Sequence, residues 1–475
     1  MSACDRPLCV DLDGTLIYSD SLEEGIIAAD NIGRFALALL KLPFSGRAAF
    51  KHRIANCGKL DTAQLPYNQP LIDYLRAQKE AGRYLVLDTA ANRLVAESVA
   101  GHLGLFDEII ASDETRNLKG RTKAEALCAR FGEKGFVYAG NDASDIPVWA
   151  AASAAILVNA SPGVAHKAGK LVPLETTLPN RANTALSLLR AMRPHQWLKN
   201  LLVFVPPITA HAFRDWASWS SAALAFAAFC ATASAIYLIN DAVDLAADRR
   251  HPRKKLRPFA SGSLSLSTGL IAACLLAALG AGLAITSGIL LVIVIYAVMS
   301  TSYSLKLKEL PLVDVFLLAG LYTIRLFGGG VASGHEVSLW LLAFSGFLFL
   351  GLALLKRVTE LATLSRKDKL FVGRRGYMAS DIAILQTFGC AASFASIIVL
   401  TLFVQREAEA AQYVSPELLW GIVPVMLFWQ CRLWLSTARN YMLDDPIVYS
   451  VHDWVSWIAA AIVIILLALA RSVAT

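Results

Sequence analysis

Charge is what this 475-residue chain has least of. Asp, Glu, Lys and Arg make up 17% of it, against roughly 25% in an average soluble domain, while 56% of the residues are hydrophobic. The shortage is local. Residues 1–180 are mixed and charged, whereas 221–239, 258–305, 337–355 and 382–405 contain no charge at all. A run of about 20 apolar residues crosses a hydrocarbon core of about 30 Å, so a soluble domain followed by a polytopic membrane domain is expected. Cysteine patterning is missing too. The eight cysteines are scattered, several inside apolar runs, and none forms a CxxC pair. That excludes a zinc module and leaves reduced, packing-type thiols. The opening residues include Asp5 and Asp11 and no long apolar core, so no secretory signal is expected and the soluble domain is placed in the cytoplasm. The net charge of +7 does not point to nucleic acid, because the bases gather in short loops between apolar runs, where they set topology.

In the soluble part, "LCVDLD", "RYLVLDT", "DEIIAS", "GFVYAGN" and "AAILVNAS" read as strands, separated by amphipathic stretches such as 94–104 and 122–131. That alternation predicts a parallel sheet with crossover helices. About 70 residues of helical pattern separate the first two strands, too long for a simple crossover, so a helical cap is expected. "PLETTLPNRAN", 173–183, has the composition of a linker, and 184–192 reads as an interfacial amphipathic helix. The expected organisation is a soluble domain over 1–175, linker and interfacial helix over 176–192, and a membrane domain over 193–475. Nine spans are expected, centred near residues 205, 230, 277, 295, 322, 347, 393, 425 and 462. Bases crowd the loop with Arg249, Arg250, Arg253, Lys254, Lys255 and Arg257, and the loop from Lys356 to Arg375, while the alternate loops hold almost none. Positive loops face the cytoplasm, which agrees with a cytoplasmic soluble domain.

"DLDGTL" places Asp11 directly after a strand, at the carboxyl end of the predicted sheet, where crevices form. Asp13 follows two residues on, and Gly14 allows a tight turn. One carboxylate there can attack phosphorus while the other handles the proton. Thr89, Lys123 in "GRTKAEAL", and the acids Asp142 and Asp145 follow in order, with Lys119 a rival for the lysine role. A hydroxyl and a lysine can hold phosphoryl oxygens, and a late carboxylate can complete a Mg²⁺ site. This order resembles the haloacid dehalogenase (HAD) superfamily over residues 1–170. The resemblance implies an α/β Rossmann-like fold with a helical cap, Asp11 as nucleophile, Asp13 as acid/base, Thr89 and Lys123 on the phosphate, and Mg²⁺ on Asp11, Asp13 and Asp145. The chain departs from the family at "GNDASD", where Asn141 stands in the usual first acid position. Asn is a weaker, neutral oxygen ligand.

In "NDAVDLAADRRHPRKKLRPFASG", 240–262, Asp241, Asp244 and Asp248 are spaced by three and four residues, which puts them on one helix face. Three carboxylates repel one another unless a cation lies between them, and oxygen-only ligands suit Mg²⁺. Downstream, Asp314 and Arg325 lie eleven residues apart on one face of a span, and an intramembrane Arg is costly unless functional. Lys306 and Lys308 precede them at the membrane edge, and Lys356 and Arg357 close the next span. Acids with Mg²⁺, and bases beside a lipid, describe a diphosphate site with a lipid co-substrate.

This membrane part resembles the UbiA superfamily of intramembrane prenyltransferases, an all-α nine-helix fold. Through "RPHQWLKN", "DRRHPRKKLRPFASG" and "YSLKLKELPLVD" it resembles the polyprenyl-phosphate phosphoribosyltransferase branch. The resemblance implies 5-phosphoribosyl diphosphate as donor, a polyprenyl phosphate such as decaprenyl phosphate as acceptor, and release of diphosphate. Candidate substrate-binding residues are then Lys199, Asn240, Arg257, Tyr303, Lys306, Lys308, Asp314, Arg325 and Lys356, with Asp241, Asp244 and Asp248 on Mg²⁺. The acceptor is already an anion, so no general base is needed, consistent with a site holding no histidines beyond His195 and His251. The fused HAD-like domain is expected to remove the ribose 5-phosphate, giving polyprenyl-phosphoryl ribose for cell-envelope glycan at a bacterial inner membrane. The alternative is transfer of a prenyl group to an aromatic acceptor beside an independent HAD-like domain.

Overall fold

The structure, a computed structural model, describes residues 6–28, 47–58, 60–178, 183–365, 376–409, 413–442 and 445–472. The bases at 366–375, and positions 179–182 of the expected linker, lie outside the described residues. The chain divides into two compact units, Met1–Met192 with Tyr237–Ala272, and Arg193–Ile236 with Ala273–Thr475.

The first unit is built on a six-stranded sheet in the order β3-β2-β1-β4-β5-β6. Its strands are β1 (Leu8–Val10), β2 (Leu85–Asn92), β3 (Glu108–Ser112), β4 (Val137–Gly140), β5 (Ala154–Val158) and β6 (Leu174–Leu178). Every pairing is parallel, with Leu8 opposite both Leu85 and Val137. Side chains alternate between the two faces. Leu8, Val10, Leu85, Leu87, Val137 and Ala139 feed one buried core, and Cys9, Val86, Tyr138 and Leu157 feed the other. A sheet buried on both faces needs such continuous apolar strands. The strand order reverses between β1 and β4, which opens a crevice at their carboxyl ends.

β6 corrects the expected linker. "LETTL" is half polar because it is an edge strand, paired only with β5, and Glu175 ties it to the segment before β2. Glu175 accepts two hydrogen bonds from Arg83 (2.6 and 3.1 Å) and one from Tyr74 Oη (2.8 Å). The insert between β1 and β2 is helical where described, with Ser21–Ile27, Arg47–Ala55 and Gln69–Glu80.

Among the described residues, six helices are long and apolar enough to cross a membrane, or seven if Pro446–His452 and Trp454–Ala470, bent by 84°, count as one span. The other two expected spans fall short for physical reasons. Leu290–Leu305 has 16 residues, about 24 Å at 1.5 Å per residue. Near residue 205 the chain runs as a 3₁₀ helix, Pro194–Phe204, into Val205–Thr209, where Pro206 and Pro207 supply no backbone N–H.

Close backbone approach marks the second unit. On helix Val313–Ser333, a Cβ at Gly329 would overlap the carbonyl oxygen of Val203, and one at Gly328 would press on the Phe229 ring. Small residues at such contacts let membrane helices pack by van der Waals attraction. Gly329→Ala should destabilise the detergent-solubilised protein by about 1–3 kcal/mol through overpacking. Gly282→Ala, with open space around its Cβ, should leave the melting temperature unchanged. Thermal unfolding of the two variants checks this.

Candidate functional site

Asp11 follows β1 at the crevice, where its N–H donates to Ala139 O at 3.0 Å. A cavity of about 280 Å³ opens there, lined among others by Asp11, Asp13, Lys51, Lys123, Asn141 and Asp145. Lys123 is buried at its centre. Its Nζ donates to Asp11 Oδ1 (2.7 Å) and Tyr138 Oη (2.8 Å), and lies 3.9 Å from the Asp88 carboxylate. Lys119, the rival lysine, also lines the cavity but is exposed and makes no contact with Asp11 among the described residues. Asp13 accepts from the Ser21 N–H (2.8 Å) and Oγ (3.0 Å) at the start of helix Ser21–Ile27. Asp145 accepts from the N–H groups of Asn141 (3.0 Å) and Asp142 (3.1 Å), and from Tyr138 Oη (3.2 Å).

Thr89 is placed otherwise than expected. It is fully buried, its Oγ1 accepts from the Ala91 N–H, and the residue of β2 that lines the cavity is Ala90. Asp88, Lys51 and Tyr138 were missed. Asp88 was visible as an acid inside an apolar strand, "LVLDT". Lys51, from the cap, donates to Ala90 O at 2.7 Å, and no sequence signal singled it out.

The electrostatics follow from burial. Burial, then the charges of Asp20 and Asp11, push Asp13 up to about 7. Asp88 is also pushed up to about 7 by burial, which the charge of Lys123 partly offsets. Burial and then Asp11 bring Asp145 up to about 6. Burial works to lower Lys123, but Asp11, Asp88 and Asp145 outweigh it and hold its pKa above the ordinary lysine value. The cavity therefore combines a charged lysine with carboxyls that hold protons near neutrality.

At the acidic helix end, Trp216–Val243 gives way at Asp244 to the short helix Leu245–Arg250. Asp241 and Asp248 are buried, whereas Asp244 and Asn240 are half-buried. The two buried acids converge on Arg257, whose Nη1 donates to Asp241 at 3.1 Å and Asp248 at 2.6 Å. Among the described residues, no three His, Cys, Asp or Glu side chains form a metal-binding group. Carboxylate oxygens nonetheless suit a hard dication, and Asp241 and Asp248 already converge on one cation, the guanidinium of Arg257. Both carboxylates thus fit Mg²⁺ once that arginine leaves.

In the second unit, Arg325 is buried and satisfied without a carboxylate. Its Nε donates to Asn200 Oδ1 (2.7 Å), Nη2 to Tyr296 Oη (3.1 Å) and Nη1 to Leu321 O. Its guanidinium lies over the rings of Tyr296 and Tyr322, and Lys199 Nζ is 5.5 Å from the same Tyr322 ring. Lys356 donates to Asp445 at 2.7 Å, and Lys199, Tyr322, Lys356 and Asp445 line one recess. Lys199 and Tyr322 also line an apolar cavity of about 540 Å³, walled by Leu202, Phe349, Trp429, Ile447 and Trp457.

The helix thus brings Arg325 to this group but commits Asp314 elsewhere. Asp314 is fully buried, paired with Arg357 at 2.6 Å and accepting from Tyr377 Oη at 2.6 Å. Tyr303, Lys306 and Lys308 line neither cavity, although the charges of Arg357, Lys356 and Asp314 act on Tyr303. Asp445 was missed, and its one signal is the acidic pair before Pro446.

An α/β unit with a carboxylate–lysine crevice, in one chain with helices long and apolar enough to cross a membrane, defines a multi-pass membrane protein with a separate α/β domain. The chain belongs to the UbiA prenyltransferase family, whose model matches residues 201–441. An uncharacterized protein, y4nM, of Sinorhizobium fredii is 36% identical over 462 residues, 96% of this chain and 89% of that protein, so both halves recur together. A decaprenyl-phosphate phosphoribosyltransferase of Mycolicibacterium smegmatis is 33% identical over 219 residues, 44% of this chain and 68% of that enzyme. A solved HAD family hydrolase, t0658 from Salmonella enterica serovar Typhi, aligns with 36% of this chain and 66% of its own at 14% identity and a TM-score of 0.28.

The Arg257 bridge generates a prediction. Arg257→Met leaves two buried carboxylates facing each other, so its melting temperature without divalent cations should fall below that of the parent. Millimolar Mg²⁺ should then raise the variant's midpoint more than the parent's, by mass-action stabilisation. Thermal unfolding with EDTA and with Mg²⁺ measures both shifts.

Proposed function

We propose that the chain transfers 5-phosphoribosyl from 5-phosphoribosyl diphosphate to a polyprenyl phosphate, and that its N-terminal domain, a HAD-type phosphatase, then removes the ribose 5-phosphate. The reading rests above all on one observation: Lys199 and Arg325 lie over Tyr322, Lys356 shares a recess with Tyr322 and Lys199, and among the described residues the one carboxylate lining that recess is Asp445, where an apolar cavity ends. An excess of fixed positive charge beside an apolar cavity fits a ligand with an anionic head and a hydrocarbon tail. The decaprenyl-phosphate phosphoribosyltransferase relative supports the same acceptor class. We further propose nine membrane passes, an inner-membrane location and a cytoplasmic N-terminal domain.

In the transfer, a phosphate oxygen of the lipid attacks ribose C1 while the bond from C1 to diphosphate breaks. The acceptor arrives as an anion, so no base is required. Lys199 and Lys356 hold its phosphate, and Arg325 fixes Tyr322 and adds to the local positive field. Asp241, Asp244 and Asp248 would hold Mg²⁺, which when bound neutralises the leaving diphosphate, and Arg257 must first release Asp241 and Asp248.

In the second step, a carboxylate oxygen of Asp11 attacks phosphorus, and the ribose O5 leaves with the proton of Asp13. Water then cleaves the aspartyl phosphate. Lys123 stays charged beside Asp11 and can neutralise the phosphoryl oxygens. Asp11, Asp13 and Asp145 would hold Mg²⁺ there, which supplies further neutralisation of the phosphate.

Purified protein given labelled 5-phosphoribosyl diphosphate and a polyprenyl phosphate should form a labelled lipid. Lys199→Ala and Lys356→Ala should each lower kcat/KM for the lipid about 10- to 100-fold, the worth of a hydrogen bond to a charged group. Asp11→Asn should leave transfer intact and the lipid product one phosphate heavier by mass spectrometry. A prenylated aromatic product from a prenyl diphosphate, with no labelled lipid, would favour the prenyltransferase alternative.

A further inference from the structure

The basic segment after the acidic helix end has a role beyond topology. Residues 237–272 belong to the same compact unit as the N-terminal domain, and side chains of helix Ser21–Ile27 hold this segment at two places. Glu24, almost fully buried, accepts from Arg249 Nη1 and Nη2 at 2.6 and 2.7 Å. Arg249 Nε in turn donates to Ala260 O at 3.3 Å. One residue earlier, Glu23 accepts from the N–H groups of Leu266 and Ser267, both at 3.0 Å. Between these anchors the backbone of Gly262, at φ +69°, leaves no room for a side chain beside Tyr18 and Pro66. The segment therefore packs closely enough that Ser265 lines the Asp11 cavity. The helix that carries Glu23 and Glu24 also carries Ser21, which holds the carboxylate of Asp13.

We propose that this segment is the specificity wall of the N-terminal site. The site takes a phosphate monoester attached to a membrane-bound carrier, and Ser265 meets the phosphate and the first atoms of the ester. Glu24 and Arg249 are positioning residues that hold the wall, while Asp13 keeps its own hydrogen bonds to Ser21. This rests on the phosphatase reading above and adds the segment that selects its lipid-linked substrate. The cavity, about 280 Å³, is at the small end for a ligand site. It suits a pentose phosphate whose remainder lies outside, and the wall is covalently continuous with two of the apolar helices, Trp216–Val243 and Leu266–Thr286.

The test uses the full-length protein. Ser265→Cys provides a half-exposed thiol whose alkylation is followed by mass spectrometry of its peptide. Millimolar inorganic phosphate should slow that alkylation at least fivefold, and Glu24→Ala in the same background should abolish the protection. Alkylation indifferent to phosphate would overturn the wall assignment. In hydrolysis assays, Glu24→Ala should lower kcat/KM at least tenfold for polyprenyl-phosphoryl ribose 5-phosphate while changing it less than twofold for p-nitrophenyl phosphate. The reversed pair Glu24→Arg with Arg249→Glu should restore the lipid-linked activity. Equal losses on both esters, or no rescue by the reversed pair, would reduce the clamp to a merely structural contact and overturn the proposal. Phosphate protection of the introduced thiol, without hydrolysis of either ester by the parent protein, would overturn the phosphatase reading instead and leave the wall a phosphate-binding surface.

Discussion

An ion taken out of water loses several kcal/mol of solvation, which only close opposite charge and well-placed hydrogen bonds return. In a chain with so little charge, that cost decides where each buried ion can sit. Lys123 is buried against Asp11 and Asp88, Arg357 against Asp314, Arg249 against Glu24, and Asp241 and Asp248 against Arg257. Arg325 departs from this pattern. Its partners are an amide, a phenol, a backbone carbonyl and two aromatic faces, so its hydrogen bonds are met while its charge is not cancelled. Arg325 lines neither cavity itself but lies over Tyr322, which lines both, and an anionic lipid head there would complete its positive field.

The same constraint explains the two acidic sites. In the crevice of the sheet, carboxyls crowd around one lysine, and burial keeps Asp13 and Asp145 near their proton-exchange range. At the helix end, the buried acids are neutralised by an arginine from their own loop, which makes that loop part of the site rather than a marker of sidedness. The loop also reaches the N-terminal cavity through Ser265. One short segment thus touches the chemistry proposed for both steps.

Much of this was legible in the amino-acid sequence, and the failures have physical causes. Apolar strand runs revealed five of the six strands, but β6 reads as linker because an edge strand needs only one buried face. Asp11 stood out by its place directly after a strand, whereas Lys123, on helix Arg121–Phe131, was implied by the order of the motifs, and the fold brings the two together. Thr89 lies inside β2 rather than at its end, and its hydroxyl accepts from the Ala91 N–H while its neighbour Ala90 lines the cavity. The spacing of Asp241, Asp244 and Asp248 is helical, yet the helix breaks at Asp244. Asp445 and Asp88 act through partners about 90 and 35 positions away in sequence, and no local pattern records such pairings. Two of the nine expected spans are not long, unbroken apolar helices among the described residues, because prolines interrupt one and the other has 16 residues, and hydropathy measures neither.

Transfer and dephosphorylation are proposed to follow one another on a single chain. At short tether lengths the second site sees its substrate at an effective concentration in the millimolar range. The direct measurement is a time course of both lipid products in vesicles reconstituted at less than one chain per vesicle on average, read by mass spectrometry. The account predicts that dephosphorylated polyprenyl-phosphoryl ribose appears without a lag and that its 5-phosphate precursor never accumulates. Steady accumulation of the 5-phosphorylated lipid, with no dephosphorylated product, would contradict it.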